Sequence, residues 1–115
     1  MINPSIPTIE HHTALIKLEK FPNNQNSLEQ FADKLIESLN LTVVKSVFHS
    51  FKPQGKTLVY ILSESHLAIH TWPEYKLLHI DLVSCVKVLN FENSLKLILN
   101  NYGISSLKVN PALES

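Results

Sequence analysis

The chain has 115 residues, with 10 basic and 10 acidic side chains and no formal net charge at pH 7. Charged residues make up 17% of the chain, below the usual value of about 25%, and they form no basic run. This composition argues against nucleic acid as a ligand, because binding a phosphate backbone needs clustered positive charge.

The amino-terminal part predicts a lead-in, a strand and a loop. Residues 1–10 contain two prolines and mixed polarity, so we expect irregular structure there. In residues 13–19, Ala14, Ile16 and Leu18 share one face and Leu15, Lys17 and Glu19 the other, which is typical of a half-buried strand. The polar segment 21–26 is predicted to be a loop.

A helix is predicted to begin at Ser27. Ser27 and Gln30 match the capping-box pattern, in which each side chain satisfies a free backbone N–H of the first turn. Apolar residues then follow helical spacing, which predicts one face in a core: Leu28, Phe31, Ala32, Leu35, Ile36 and Leu39.

Four further strands are predicted between residues 41 and 85, because β-branched and aromatic residues are frequent there. Their ranges are 41–51, 57–62, 67–71 and 77–85. Pro73 separates the last two, since proline cannot donate to a sheet ladder. Along the last strand Leu78, Ile80 and Leu82 share one face, and His79, Asp81, Val83 and Cys85 share the other.

A second helix is predicted after Asn90, which can cap it. Its apolar stripe is Phe91, Leu95, Ile98, Leu99 and Tyr102. Gly103 is expected to end it in a left-handed conformation. A last strand is predicted at 104–109, with a tail from Pro111 onward.

The element order β-α-β-β-β-β-α-β predicts an α+β fold in one domain, residues 1–115. The economical packing is a two-layer sandwich, an antiparallel sheet with both helices on one face. The other sheet face, with His79 and Cys85, then needs a ligand or a partner.

The cellular compartment can be inferred from cysteine usage and hydropathy. Cys85 is the single cysteine, so no disulfide can form within the chain, as is typical of a reducing compartment. The first ten residues lack the basic and apolar regions of a signal peptide. No apolar run approaches the roughly 20 residues needed to cross a bilayer. We expect a cytoplasmic protein that does not bind membranes.

Residues 63–75 concentrate chemically active side chains. His66 and His70 are four residues apart on a strand, about 13 Å at a rise of about 3.3 Å per residue, which is too far to share a metal ion. A zinc-protease reading needs a helix and a glutamate after the first histidine, and both are missing. We therefore expect no metal.

Two nucleophilic readings stay open from the residues alone. A serine hydrolase would need an elbow of the G-x-S-x-G type, and only two glycines are present. Cys85 with a histidine is a weak signal, and an inert buried thiol is the alternative. For His11, His12, His49 and His79, a packed or surface position is the simpler expectation.

Residues 64–75, ESHLAIHTWPEY, followed by Asp81 and Cys85, resemble the prokaryotic S-adenosylmethionine decarboxylases. The family pattern is E-S-H-x-x-I-H-T-W-P-E, then D-x-x-x-C. Upstream, residues 48–55 look like the family's F-H-x-F-x-P-x-G segment. The similarity covers residues 13–85, and the second helix agrees in pattern.

The resemblance implies that the chain cuts itself between Glu64 and Ser65 into a β chain, 1–64, and an α chain, 65–115. Ser65 would become a pyruvoyl group, a covalent cofactor that forms a Schiff base with the substrate amine and accepts the charge left by decarboxylation. His70 matches the base that removes the Ser65 α-proton during cleavage. Thr57 occupies the place of a serine that assists this cleavage, and Cys85 matches the proton donor of decarboxylation.

The substrate implied is S-adenosylmethionine, whose decarboxylated product feeds spermidine and other polyamine synthesis. Phe51 matches a ring that stacks on the substrate, Glu74 matches a carboxylate for the ribose hydroxyls, and Trp72 is either structural or part of the pocket. The family also forms dimers in which each protomer contributes to the sites, so a homodimer of αβ protomers is implied.

The chain departs from the family pattern near this expected pocket. Where the family continues W-P-E-x-G-Y-A-A, the glycine and the two small residues are replaced by larger ones, Lys76, Leu78 and His79. Val86 follows the cysteine in place of glycine, Lys56 follows the turn glycine, and Ser50 stands where arginine is common. Two alternatives follow: the same chemistry acting on ornithine or arginine, or an uncleaved, non-catalytic regulatory subunit.

Overall fold

The structure is a computed structural model that describes residues 9–114. Its strands and helices follow the predicted order. They are β1 (Glu10–Leu18), α1 (Gln25–Ser38), β2 (Val43–Ser50), β3 (Lys56–Leu62), β4 (Ser65–Trp72), a 3₁₀ turn (Pro73–Tyr75), β5 (Leu77–Ser84), α2 (Phe91–Leu99) and β6 (Ile104–Glu114). The predicted α+β class is confirmed.

One antiparallel sheet contains the six strands in the order β2-β3-β4-β5-β1-β6. Strand β1 lies between β5 and β6, so the first strand joins the two halves of the sheet. Strands β3 and β4 form a hairpin in which Leu62 lies opposite Ser65. The loop of this hairpin is therefore only two residues long, Ser63 and Glu64.

The core lies between one sheet face and the two helices. Alternate residues of β1, β3 and β5 are buried, as the predicted period of two requires. The buried apolar residues of β1 and β5 are Ala14, Ile16, Leu18, Leu78, Ile80 and Leu82, and those of the helices are Leu28, Phe31, Ala32, Leu35, Ile36, Phe91, Leu95 and Leu99. Both predicted helix stripes thus face the sheet.

The predicted start of the first helix is wrong. Asn24 is the N-cap, and its side chain accepts a hydrogen bond from the Ser27 N–H at 2.8 Å. The Ser27 hydroxyl accepts the return bond from the Asn24 N–H at 3.3 Å. Ser27 is therefore the last residue of the capping box rather than its first. Asparagine caps as well as serine does, and Ser27 lies three residues after Asn24, as the capping box requires.

Other element ends also differ from the prediction. Strand β4 begins at Ser65 rather than at residue 67, and β6 continues to Glu114 where a tail was expected. Pairing with neighbouring strands satisfies backbone groups that a single strand leaves open, which extends both elements. Asn90 precedes α2 but makes no side-chain cap bond. Gly103 is left-handed as predicted, with φ of 73°.

The helices leave the second sheet face open. The strand registers place His11, His49, His66, His70 and His79 on this open face. It also carries the exposed apolar side chains of Leu15, Val47 and Ile61. The open face thus combines apolar and titratable side chains without a cover.

Glu10 and His12 form a buried, hydrogen-bonded pair on the core face of β1, with 2.9 Å between Oε1 and Nε2. Burial raises the pKa of Glu10, but hydrogen bonds from His12 and the Val88 N–H, together with the charges of His12 and Lys87, outweigh it. The net pKa lies below its ordinary value of 4.5. Ionised Glu10 therefore stabilises the fold above pH 4.5, and this contribution is lost as the pH falls through its folded pKa.

We expect Glu10→Gln to flatten this acid dependence. The free energy of unfolding, from urea titrations between pH 7 and about pH 3, should fall less steeply below pH 4.5 in the variant than in the unsubstituted protein. Glu92→Gln, in an exposed ion pair with Lys96, is the matched control and should keep the original slope. If the free energy of unfolding depends on pH in the same way in all three proteins, Glu10 has the same pKa in the folded and unfolded states.

Candidate active site

The predicted cleavage bond lies in the tight turn between β3 and β4. Glu64 has φ of 61°, a left-handed conformation that non-glycine residues rarely adopt. Ser65 begins β4, and its hydroxyl donates to the Ser63 carbonyl at 3.2 Å. The peptide bond between Glu64 and Ser65 is therefore held at an accessible corner with one strained residue.

Cys85 lies beside this bond. Its thiol Sγ is 2.7 Å from the Glu64 carbonyl oxygen, in hydrogen-bond geometry. Cys85 directly follows β5 and is half-buried, so its thiol is not packed in the core. We call Glu64, Ser65 and Cys85 the hairpin cluster.

A second group of predicted residues surrounds a cavity of about 330 Å³ at the other end of β4. The predicted residues that line it are Phe51, Thr57, His70, Trp72 and Glu74. We call these five residues the pocket cluster. Phe51 and Trp72 are 50% and 41% exposed, so aromatic surface is free to contact a ligand. Trp72 thus belongs to the cavity wall.

Thr57 and His70 are directly opposite each other on β3 and β4. The Thr57 hydroxyl oxygen is 2.9 Å from His70 Nδ1. When Nδ1–H donates to this oxygen, Nε2 keeps its lone pair and can accept a proton. The geometry therefore supports His70 as a base oriented by Thr57.

The loop between β2 and β3 forms another wall of the cavity. Gly55 has φ of 103°, and its carbonyl accepts the Phe51 N–H at 2.8 Å. The Lys56 N–H donates to the Thr71 hydroxyl at 2.9 Å. Sequence reasoning did not name Gln54 and Thr71 as lining residues, whereas Lys56, noted as a departure near the expected pocket, does line the cavity. The pairing of β3 with β4 places Thr71 opposite Lys56.

The two clusters do not meet within one chain. Ser65 and His70 are five residues apart on an extended strand, about 16 Å at a rise of about 3.3 Å per residue. The residue to be cleaved and the base expected to act on it thus lie at opposite ends of β4. The structure brings together the residues within the hairpin cluster and those within the pocket cluster, but it keeps the two clusters apart in one chain.

Residues 9–114 contain no group of three or more side chains arranged to hold a metal ion. Over the same residues, no helix is long and apolar enough to span a membrane.

The family model of S-adenosylmethionine decarboxylase matches residues 17–112. The chain belongs to this family. An S-adenosylmethionine decarboxylase proenzyme of Archaeoglobus fulgidus is 32% identical over 73% of this chain and 75% of its own length. A proenzyme of the same name from Clostridium botulinum strain Loch Maree is 42% identical over 56% of this chain and 55% of its own length.

A solved structure supports the fold of this family member. The crystal structure of the adenosylmethionine decarboxylase from Aquifex aeolicus VF5 superposes with a TM-score of 0.74, covering 90% of this chain and 88% of that one. The sequence identity is 21%, so this likeness concerns the fold alone. The match with the clostridial relative spans about half of that protein, whereas the archaeal match spans three quarters.

Proposed function

We propose that this chain cuts itself between Glu64 and Ser65 and that the cut protein decarboxylates S-adenosylmethionine for polyamine synthesis. The observation that carries the cleavage is the hairpin cluster. It holds a strained Glu64, the adjacent Ser65 hydroxyl and the Cys85 thiol on the Glu64 carbonyl. The family relationship supports the substrate.

Cleavage begins with the Ser65 hydroxyl. Its oxygen attacks the Glu64 carbonyl carbon, its proton moves to the amide nitrogen, and the C–N bond breaks as a C–O ester bond forms. The Cys85 S–H, hydrogen-bonded to the same carbonyl oxygen, stabilises the negative charge that develops there. Opening the turn also releases the left-handed conformation of Glu64, which costs about 1–2 kcal/mol for a non-glycine residue.

The ester then breaks by elimination. His70 Nε2 removes the Ser65 α-proton, and the bond between Ser65 Cβ and the ester oxygen breaks. The new backbone carboxylate of Glu64 leaves with the electrons of that bond. Dehydroalanine remains at residue 65, and water converts it to a pyruvoyl group with loss of ammonia. The products are a β chain of residues 1–64 and an α chain of residues 65–115.

A second copy of the chain must supply His70 for this step. In a two-fold dimer each contact is repeated, so the hairpin cluster of one protomer can meet the pocket cluster of the other at two equivalent sites. The open sheet face offers the surface for such pairing, with Leu15, Val47 and Ile61 exposed on it. The functional unit we propose is a homodimer of αβ protomers.

The pocket cluster has the chemistry to bind S-adenosylmethionine. The exposed Phe51 ring can stack on the adenine and face the sulfonium, whose positive charge is attracted by an aromatic face. The Glu74 carboxylate can accept hydrogen bonds from the ribose hydroxyls, and Trp72 extends the aromatic wall. The cavity of about 330 Å³ is open on one side, which leaves room for the partner's hairpin cluster.

The pyruvoyl group fits the hairpin cluster because its precursor, Ser65, is already the first residue after the strained bond. The group supplies a ketone that accepts the electrons left by decarboxylation. Cys85 lies beside this position and donates the proton to the product carbon. A thiol in this role must stay reduced, which fits a cytoplasmic location.

Thr57 should matter through its hydroxyl. We expect Thr57→Val to slow the elimination roughly tenfold or more, because general-base catalysis contributes about 10²–10⁴-fold and depends on the orientation of the base. Thr57→Ser keeps the hydroxyl and should stay within about threefold of the original rate. Gel densitometry of chain cleavage over time measures both. Equal rates in the two variants would remove Thr57 from the mechanism.

A substrate panel tests the proposed function. Purified protein, whose cleavage is followed on a denaturing gel, is supplied separately with carboxyl-labelled S-adenosylmethionine, ornithine and arginine, and labelled carbon dioxide is counted. We expect release from S-adenosylmethionine. Release from ornithine or arginine instead would overturn the substrate and keep the chemistry. An uncleaved chain with no release would indicate a non-catalytic subunit.

A further inference from the structure

The loop that follows β5 carries Cys85, and the first contacts that hold this loop in place are made by Ser84. This serine is fully buried. Its hydroxyl donates to the Val86 carbonyl at 2.7 Å and accepts the Val86 N–H at 3.1 Å. The backbone of Cys85 is thus fixed between two residues that are bonded to each other.

A hydrogen bond to β1 also holds the same loop. The Val88 N–H donates to Glu10 Oε1 at 3.1 Å, and Glu10 lies opposite Ser84 in the pairing of β1 with β5. Glu10 is only 3% exposed. A buried carboxylate therefore holds the loop three residues beyond Cys85.

His12 completes the arrangement. It is 8% exposed, and its ring packs on Phe91, the first residue of α2, with 5.0 Å between ring centroids. Its Nε2 is bonded to the same Glu10 oxygen that holds Val88. The pair thus connects β1 to both the loop and the helix that follows it.

We propose that Glu10 and His12 are positioning residues that hold Cys85 where it acts in both self-cleavage and decarboxylation. This inference rests on the proposed function, because it assigns the pair a role in reactions that Cys85 serves. Neither residue touches the reacting atoms. Loosening the loop moves the thiol away from the Glu64 carbonyl, which slows cleavage, and away from the product carbon, which misdirects a proton.

Protonation at the wrong carbon leaves a distinct covalent modification on the α chain. In the productive reaction, carbon dioxide leaves, the proton goes to the substrate α-carbon, and hydrolysis releases the amine and restores the pyruvoyl group. In the abortive reaction, carbon dioxide also leaves, but the proton goes to the enzyme carbon. Hydrolysis then releases the substrate skeleton as an aldehyde, and the substrate nitrogen stays on the α chain as an amino-terminal alanine.

The test compares Glu10→Ala with Glu92→Ala, a control in the exposed ion pair of α2. Cleavage rates are followed on gels, and after a fixed number of turnovers on S-adenosylmethionine the α chain is weighed by mass spectrometry. We expect Glu10→Ala to cleave roughly tenfold or more slowly, because displacing a catalytic group by about 1 Å can cost about a hundredfold. Its alanine-ended fraction should rise severalfold toward the value of Cys85→Ala, while the control matches the original protein.

Glu10→Gln keeps the size of the side chain and carries the test if Glu10→Ala does not fold. It should change both readings in the same direction by a smaller factor. A Glu10 variant with the original cleavage rate and the original alanine-ended fraction overturns the proposal, even if its unfolding temperature is lower. Failure of the proposed function would show differently, as an unsubstituted protein that neither cleaves nor releases carbon dioxide.

Discussion

Ser65→Ala is expected to leave the chain in one piece and to abolish decarboxylation. Alanine has no hydroxyl to attack the Glu64 carbonyl, so the ester cannot form and no pyruvoyl group can arise. The loss should be complete, because each later step depends on this one. Denaturing gels of freshly purified and aged protein, with a carbon dioxide assay on each, measure the effect.

Ser46→Ala provides the control. Ser46 is an exposed serine on β2, away from both clusters, and its replacement should leave cleavage and activity unchanged. Cleavage of the Ser65→Ala chain at the same bond would show that another group is the nucleophile, and the chemistry derived from the hairpin cluster would be wrong.

The second large effect is recovery of cleavage when two inactive variants are combined. We expect Ser65→Ala alone and His70→Ala alone to give no cut chains. In a mixed dimer, one site pairs the intact Ser65 of the His70→Ala chain with the intact His70 of the Ser65→Ala chain, and the other site lacks both. When the two chains are present in equal amounts, random pairing makes half of the dimers mixed, so about half of the His70→Ala chains should be cut.

Coexpression with two different tags makes the chains distinguishable on a gel. The Ser65→Ala chain should remain whole in the same sample, which is a strong internal control. Pairing the Ser65→Ala chain with a Ser65→Ala/His70→Ala double variant should yield no cut chains. No cleavage in the first mixture, with dimers present, would mean that His70 acts within its own chain. Cleavage of the His70→Ala chain by itself would remove His70 from the mechanism.

The fold could be predicted well from the sequence because apolar residues recur at regular spacings along the strands and helices. The alternation in β1 and β5 and the stripes of both helices fix which faces are buried, and the structure follows them. Element ends were less accurate, since capping and strand pairing depend on contacts between distant segments. Asn24 caps α1 through a local bond that competes with the Ser27 pattern.

The members of the candidate site could be named from the sequence, but their arrangement could not. A sequence motif gives the order of the residues, whereas the distance between them depends on the secondary structure that they form. The predicted strand began at residue 67, so only the observed start of β4 at Ser65 places Ser65 and His70 on one strand and far apart. The positioning role proposed for Glu10 and His12 depends on burial and on a bond to Val88, which no local pattern indicates.

One departure from the family pattern has a clear structural counterpart. Lys76 stands where the family usually has glycine, and it adopts a left-handed conformation with φ of 51° at the end of the 3₁₀ turn. Its ammonium group donates to the Glu19 carbonyl at 3.1 Å, which offsets part of the strain. The turn geometry is thus kept although the residue that suits it best is absent.

Intact mass spectrometry of the purified, unsubstituted protein tests self-cleavage most directly. Cleavage at Glu64 predicts two species, residues 1–64 with a free carboxyl end and residues 65–115 beginning with a pyruvoyl group in place of Ser65. The second should resist labelling at its amino end, because a ketone replaces the amine. A single full-length mass after prolonged incubation, with Ser65 unmodified, would contradict the proposed mechanism.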